Sequence, residues 1–411
     1  MQLGTRNAQT RNAQTQMHIT VIGAGSVGAA VAYDLIQREE VNLVQICDTR
    51  SRSLQALHER IDAPSLRSFQ VDVRDHSVLP SILEGSDCVV GCMPSHLHPE
   101  LAQLCLSMNL PYCDLGGNDE VVRQELALDD EARAQSTWIV PNCGLAPGLS
   151  NVLCLHGVDQ FDEVEAAHLR VGDVPLHPEP PFNFRVSWSA EKIIDDYVNP
   201  VRLIEDGEIA EYDSLSRQER IAFPEPFGEM EAFCTAGGLS TLTSQLADRL
   251  DTLDHKTIRW PGHADQMRFL LELGFGEDRT IDVRTHLTYR DVLVRQMRKR
   301  LGGEYADAVL LRVLIRGTEG GEKRTLVYEM VDRYDEDQRL SAMERCTSLP
   351  IAAVAVFIAG GEVEGGGAAP PENVVPRDRY LDVLAERGLD VQTRWYDGHT
   401  DVTDEPDEMA A

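Results

Sequence analysis

Residues 18–37 constrain this chain more than any other stretch. His18–Ile22 is a short apolar run, Gly23-Ala-Gly25-Ser26-Val27-Gly28 is a glycine-rich turn, and Val27–Gln37 repeats its apolar residues at helical spacing. A strand that feeds such a turn and then a helix is a dinucleotide-binding fingerprint, whereas the glycines without those flanks would mean little. Gly23 permits the tight turn, Gly25 lets a pyrophosphate approach the backbone, and Gly28 lets the helix sit close to the strand. The helix start, led by Ser26 and Val27, offers free N–H groups and a partial positive charge to that anion.

The same rhythm continues to Val140. Further strands are expected at Leu43–Cys47, Ser68–Val71, Cys88–Gly91, Tyr112–Asp114 and Trp138–Val140. Helices are expected after Ser51, which is placed to cap, and near 76–84, 97–108 and 119–134. Strand and helix in alternation imply parallel βαβ units, and hence an α/β fold with an N-terminal Rossmann doubly wound sheet. Asp48 stands twenty residues beyond Gly28, where a carboxylate takes the ribose hydroxyls and repels a 2′-phosphate. NAD is therefore expected over NADP, although Arg50 and Arg52 follow at once and offer charge to a phosphate. Asp72, Val73 and Pro94 are placed with the cofactor-binding residues, at the ends of the third and fourth strands.

After Pro147 the pattern changes. Ala308–Ile315 and Arg324–Val331 flank the turn-like Gly317–Gly321 and read as an antiparallel hairpin. Ala342–Ile358 is apolar and helical, with a break or kink expected at Pro350. The domains are then a Rossmann unit at 17–149, completed by C-terminal elements at about 342–397, and an α+β substrate and dimerisation domain at 150–341. Residues 1–16, with Arg-Asn-Ala-Gln-Thr twice in tandem, are expected to be a disordered extension, and 398–411 a frayed acidic tail. No signal peptide is expected.

The 411 residues carry 68 acidic and 38 basic side chains, for a formal charge of -30. A polyanion would be repelled, so no nucleic-acid partner is expected. Only four of the cations are lysines, Lys192, Lys256, Lys299 and Lys323, and such an acidic, lysine-poor surface fits a salt-rich, halophilic cytosol. Nine scattered cysteines with no CxxC pair imply a reducing, cytoplasmic setting. The longest apolar run, Ile351–Ala359, is too short to span a bilayer, so no membrane association is expected. No metal motif occurs.

Beyond these readings, a series of short motifs runs in order from Met17 to about Arg394. They are Asp114-Leu-Gly-Gly117, Pro141-Asn-Cys-Gly-Leu-Ala-Pro-Gly148, Val171-Gly172, Pro178-Glu-Pro-Pro181, Phe227-Gly228, Glu231-Ala-Phe233, Gly237-Gly-Leu-Ser-Thr-Leu242, His255-Lys-Thr-Ile-Arg259, Gly262-His-Ala264 and Arg290-Asp-Val-Leu293. In these the chain resembles the saccharopine dehydrogenase-like superfamily, most of all its lysine 6-dehydrogenase group. The resemblance implies NAD-dependent oxidation of the ε-amine of L-lysine, hydrolysis of the imine with loss of ammonia, and cyclisation of the allysine to piperideine-6-carboxylate. It departs from the family at Met93–His98, at Asn118 and at Trp260. A saccharopine-reductase-like or carboxypolyamine-forming enzyme, running NADPH-dependent reductive condensation, stays open. So does a non-catalytic NAD-binding sensor.

Deamination needs a base for the ammonium proton, a proton shuttle and a cationic anchor for the α-carboxylate. Asp114, at the end of a parallel strand, is the expected contact to the amine, and His96 or His98 the shuttle. Gly117, Asn118, Ser240, Thr241, Lys256, Arg259 and His263 are the expected substrate-binding residues, with Arg259 offering the fork that suits a carboxylate. Glu191 and Tyr197 share one helix, and the N–H groups beyond Pro147-Gly148 can bind an anion. A homo-oligomer is expected, with the 308–331 hairpin as an exposed edge.

Overall fold

The computed structural model describes residues 16–401 and 403; all but the last residue of the expected N-terminal extension, and most of the expected acidic tail, lie outside them. The strands, in chain order, are β1 (Met17–Ile22), β2 (Val41–Asp48), β3 (Leu66–Gln70), β4 (Cys88–Gly91), β5 (Tyr112–Asp114), β6 (Trp138–Val140), β7 (Glu163–Pro175), β8 (Val201–Glu205), β9 (Glu208–Tyr212), β10 (Glu219–Phe223), β11 (Gly228–Cys234), β12 (Thr252–Arg259), β13 (Asp307–Glu319), β14 (Glu322–Arg333), β15 (Gly367–Ala368) and β16 (Gln392–Asp397). The first sheet is ordered β15-β6-β5-β4-β1-β2-β3 and is parallel throughout. Its central strands β1, β4 and β5 are buried almost throughout, as expected of a parallel sheet covered on both faces. The order reverses between β1 and β4, and the glycine turn leaves β1 at that switch point.

The second sheet is mixed, in the order β10-β11-β12-β7-β13-β14-β16, with β8 joining β12 and β9 joining β8. β7 and β12 run parallel; the other pairs are antiparallel. The expected hairpin forms, closing at Glu319 and Glu322, but it is not an edge: β7 flanks β13 and β16 flanks β14. β16, expected within the Rossmann unit, extends this second sheet instead.

The helix Ala342–Gly360 joins the two halves. Ser341 and Glu344 form a capping box, and the buried Asp307 carboxylate accepts from Ala342 N at 2.7 Å and Met343 N at 3.0 Å. Burial pushes the Asp307 carboxyl up to about 6. The helix is not broken at Pro350. One missing N–H is a small loss beside the apolar surface that its turns bury against the helix Ser26–Ile36, β1, β4, β5 and β13. It is long and apolar enough to cross a membrane, but 89% of its apolar window is buried inside the protein. One hydrophobic core therefore runs from Ile19 and Val21 through Val354 and Phe357 to Leu169, Val309 and Leu311.

Smaller expectations differ in detail. Arg50, not Ser51, occupies the cap of the helix Ser51–Arg60, and the expected 119–134 helix is two, Asp119–Leu126 and Asp129–Gln135. β7 approaches β12 so closely at Gly172 that a β-carbon there would collide with the carbonyl of Ile258. Gly172→Ala is expected to lower the unfolding free energy by about 1–3 kcal/mol through overpacking. Denaturant unfolding measures it, and wild-type stability would show that the seam yields.

Candidate functional site

The glycine turn is built as a cradle. A β-carbon at Gly23 would strike the carbonyl of Cys92, and one at Gly28 would strike the carbonyl of Gly23. Gly25 has nothing within 4 Å of its missing β-carbon. It also caps the helix Ser26–Ile36, whose first turn holds no acidic side chain. The N–H groups at Ser26 and Val27 thus meet open space rather than a competing carboxylate, which suits a pyrophosphate.

Asp48 ends β2 with its carboxylate tied to the turn. Oδ2 accepts from Ala24 N at 2.8 Å, and Oδ1 accepts from Arg50 N at 2.7 Å and Arg50 Nε at 3.3 Å. Burial opposes its charge, yet the hydrogen bonds from Arg50 and Ala24 outweigh that and hold the carboxyl below its ordinary range. Asp72 lies beyond β3, exposed, where hydrogen bonds from Arg74 bring it down to about 2. Val73 and Pro94 sit on the loops at these strand ends.

The crevice floor is made by the segments after β4 and β5. Ser95–Leu97 form a short helical turn with His96 exposed. Gly117 packs on Ser95, with no room for a β-carbon. Asn118 caps the helix Asp119–Leu126, its Oδ1 accepting from Glu120 N at 3.1 Å and Val121 N at 3.0 Å. Asp114 is wholly buried: Oδ1 accepts from Gly116 N at 2.6 Å, and Oδ2 lies 3.8 Å from His98 Nδ1. No face of Asp114 reaches the crevice, so the expected contact with an amine is replaced by a contact with the chain's own corner. His98 is buried as well, 2.7 Å from the Tyr112 hydroxyl, and burial lowers its pKa.

The opposite wall comes from the second domain. Asn142, at φ 67°, fills the space beside Gly116, and its Nδ2 donates to Ser240 Oγ at 2.9 Å. Thr241 turns away and donates to the buried Glu372 at 2.6 Å. The loop Gly237–Gly238 lies against three ionisable groups. Lys192 Nζ is 3.3 Å and Asp196 Oδ1 3.6 Å from where a β-carbon of Gly237 would be. The His255 ring fills the space in which Gly238 lacks a side chain. Lys192 pairs with Asp196, whose carboxyl burial raises to about 6 despite that cation.

The expected cluster of Lys256, Arg259 and His263 is divided by strand pleating. Positions three apart on β12 face opposite sides. Lys256 pairs with Glu219 on the face that also buries Arg170, Asp254 and Arg312. Arg259 faces the other way, bonded to Asp173 Oδ1 at 2.9 Å and lying over the Phe184 ring. Its Nε is 3.3 Å from the Tyr197 hydroxyl, which is 3.0 Å from His263 Nε2. Arg259 and His263 are thus spent on bracing the helix Ala190–Val198 against β12 and are not free to anchor a substrate. Glu191 lies on the exposed side of that helix, paired with Arg298.

The sequence reading missed His255, Lys192, Asp196, Asn142 and Glu125. His255 lies inside a motif already singled out, and its alternation with Lys256 along the strand was the available signal. Lys192 and Asp196 carried the i,i+4 spacing of a helical ion pair.

Comparison with known proteins finds relatives of both halves of the chain. Residues 19–140 match the saccharopine dehydrogenase NADP binding domain, and residues 144–389 match the saccharopine dehydrogenase C-terminal domain. The mitochondrial alpha-aminoadipic semialdehyde synthase of Rattus norvegicus is 22% identical over 203 residues, 47% of this chain and 21% of that protein. Its counterpart in Bos taurus is 21% identical over 210 residues, 49% of this chain and 22% of that protein. The chain thus spans about a fifth of the length of these curated relatives. Apo saccharopine dehydrogenase (L-Glu forming) from Saccharomyces cerevisiae shares the fold, with a TM-score of 0.76 at 17% identity over 92% of this chain and 99% of that one.

Gly25→Val is expected to leave the fold intact, since its space is open, and to weaken dinucleotide binding at least about tenfold, or about 1.4 kcal/mol. Fluorescence titration with NADH and NADPH measures it, and unchanged affinity would place the pyrophosphate elsewhere. Burial also lowers His255 to about 4 and His263 to about 3, against 6.5 when free. Unfolding lets both protonate, so their stability is full above about pH 6.5 and is lost as pH falls toward the folded values. Unfolding free energy should thus fall between pH 6 and pH 5, and His263→Gln should flatten that slope by about 1.4 kcal/mol per pH unit. An unaltered slope would mean that His263 titrates normally.

Proposed function

We propose that this chain, which belongs to the saccharopine dehydrogenase family, is an NAD-dependent amino-acid dehydrogenase that oxidises the distal amine of lysine or a close relative. The observation that carries this reading is the open space at Gly25, where β1 turns into its helix at the switch point; Lys192, Asp196 and His255 lie against the Gly237–Gly238 loop, whose Ser240 reaches Asn142. A nicotinamide dinucleotide held there supplies the hydride acceptor. The residues of this chain do the rest. Ser26 and Val27 present N–H groups to the diphosphate, and Asp48 faces the ribose. Lys192, paired with Asp196, holds that carboxyl beside the Gly237 loop. Asp196, with its carboxyl near 6, takes the ammonium proton and can return it when water attacks the imine. His96, exposed on the floor, exchanges protons with solvent.

Asp48 favours NAD. One observation favours the other cofactor: Arg50 lies against the Asp48 carboxylate and, with Arg52, can meet a 2′-phosphate. That arrangement suits reductive condensation of an amine with an aldehyde, drawn by NADPH. Homo-oligomerisation remains a proposal from the family resemblance alone, since β7 and β16 cover the hairpin edge expected to serve it.

Mixing the protein with NAD and L-lysine should yield NADH and ammonia, with NADP a poorer acceptor. Asp196→Asn should lower kcat by about a hundredfold or more while leaving NADH affinity unchanged. NADPH oxidation that requires both an amine and a semialdehyde, with no turnover of lysine, would replace this reading with the reductive one.

A further inference from the structure

Beneath the crevice floor lies an acid pair that the chemistry above does not use. Glu125 projects from the helix Asp119–Leu126 into the protein and is 0% exposed, as is Asp114. Asp114 is the neighbouring carboxyl that acts on Glu125. No N–H or hydroxyl donates to either oxygen of Glu125 or to Oδ2 of Asp114. The ionisable groups that face the pair are His98, Tyr112, Cys92, Cys113 and Cys143. Among the described residues, neither arginine nor lysine pairs with either carboxyl.

We infer that Asp114 and Glu125 share a single proton, with Glu125 the neutral acid, and that they act together as a positioning pair for the Gly116–Gly117 corner of the crevice. Two ionised carboxylates cannot stay in contact in an uncharged interior, whereas one proton turns their repulsion into a strong O–H···O⁻ bond. The remaining oxygen of Asp114 is then free to hold Gly116 N–H. Burial and the neighbouring Asp114 charge both push the Glu125 carboxyl up, so the proton stays through neutral pH. His98 does not supply it, because its Nδ1 faces the Tyr112 hydroxyl and burial keeps its ring neutral. The chain of contacts runs from Glu125 through Asp114 to Gly116, and Gly117 seats on Ser95. A carboxyl on one helix thereby sets where the floor meets the 95–97 turn.

Infrared spectra of the purified protein at pH 7 test this without turnover or any choice of substrate. The difference between wild type and Glu125→Gln should contain a protonated-carboxyl C=O band that shifts in D2O. The glutamine amide donates where the acid O–H did, so Glu125→Gln should keep wild-type thermal stability and dinucleotide affinity. Glu125→Ala should lose stability and loosen cofactor binding severalfold. If Glu125→Gln does not fold, the band is sought in wild type against Asp114→Asn. Absence of the band from the difference spectrum, or equal damage from Gln and Ala, would overturn the proposal whether or not lysine is the substrate.

Discussion

Backbone lies on backbone where β1 turns into its helix, and the rest of the molecule is arranged around that contact. Gly23 abuts the carbonyl of Cys92, and Gly28 abuts the carbonyl of Gly23. Neither position has volume for a methyl group, so turn, helix and the end of β4 are locked at one spacing. The same lock leaves Gly25 uncovered. It also brings Ala24 N–H to the carboxylate of Asp48, which ties the ends of β1 and β2 together. A cradle formed in this way exists before any ligand enters it, which spares binding the cost of ordering a loop.

The two sheets do not have separate interiors. The helix Ala342–Gly360 returns from the second sheet to lie across β1, β4 and β5, and the buried Asp307 on β13 caps its start. The crevice is thereby bounded by rigid elements on both sides. The loop Gly237–Thr241 is held by specific contacts: Asn142 to Ser240 and Thr241 to Glu372 from the other half, and Asn151 Nδ2 to the carbonyl of Leu239 at 3.0 Å from its own. Polar side chains fix the loop Gly237–Thr241, and the Lys192–Asp196 ion pair and the buried His255 ring lie against its two glycines.

Buried charge is distributed with the same economy. On one face of the second sheet, Arg170 bonds Asp254 at 2.8 Å and Arg312 bonds Glu329 at 2.8 Å, each buried cation set beside its own anion. Asp114 and Glu125 have no such cation and resolve the problem with a proton. The first arrangement matches opposite charges; the second carries one net negative charge beneath the Gly116–Gly117 corner.

What the sequence by itself determined is the βαβ half: the glycine turn, the strand rhythm to Val140, Asp48, and the β13–β14 hairpin. These are local patterns, set by spacing along the chain, and periodicity reports them directly. The family motifs were legible for the same reason. What the tertiary structure decided is which side chains face each other. Lys256 and Arg259 look adjacent in sequence but fall on opposite faces of β12. Asp114 looks exposed at a strand end, but the helix that carries Glu125 closes over it. Pro350 looks like a break, yet burial on every side holds the helix through it. Pairings such as Asn142 with Ser240, 98 residues apart, have no signature in the chain, because the geometry that joins them is made by the packing of two sheets about one shared helix.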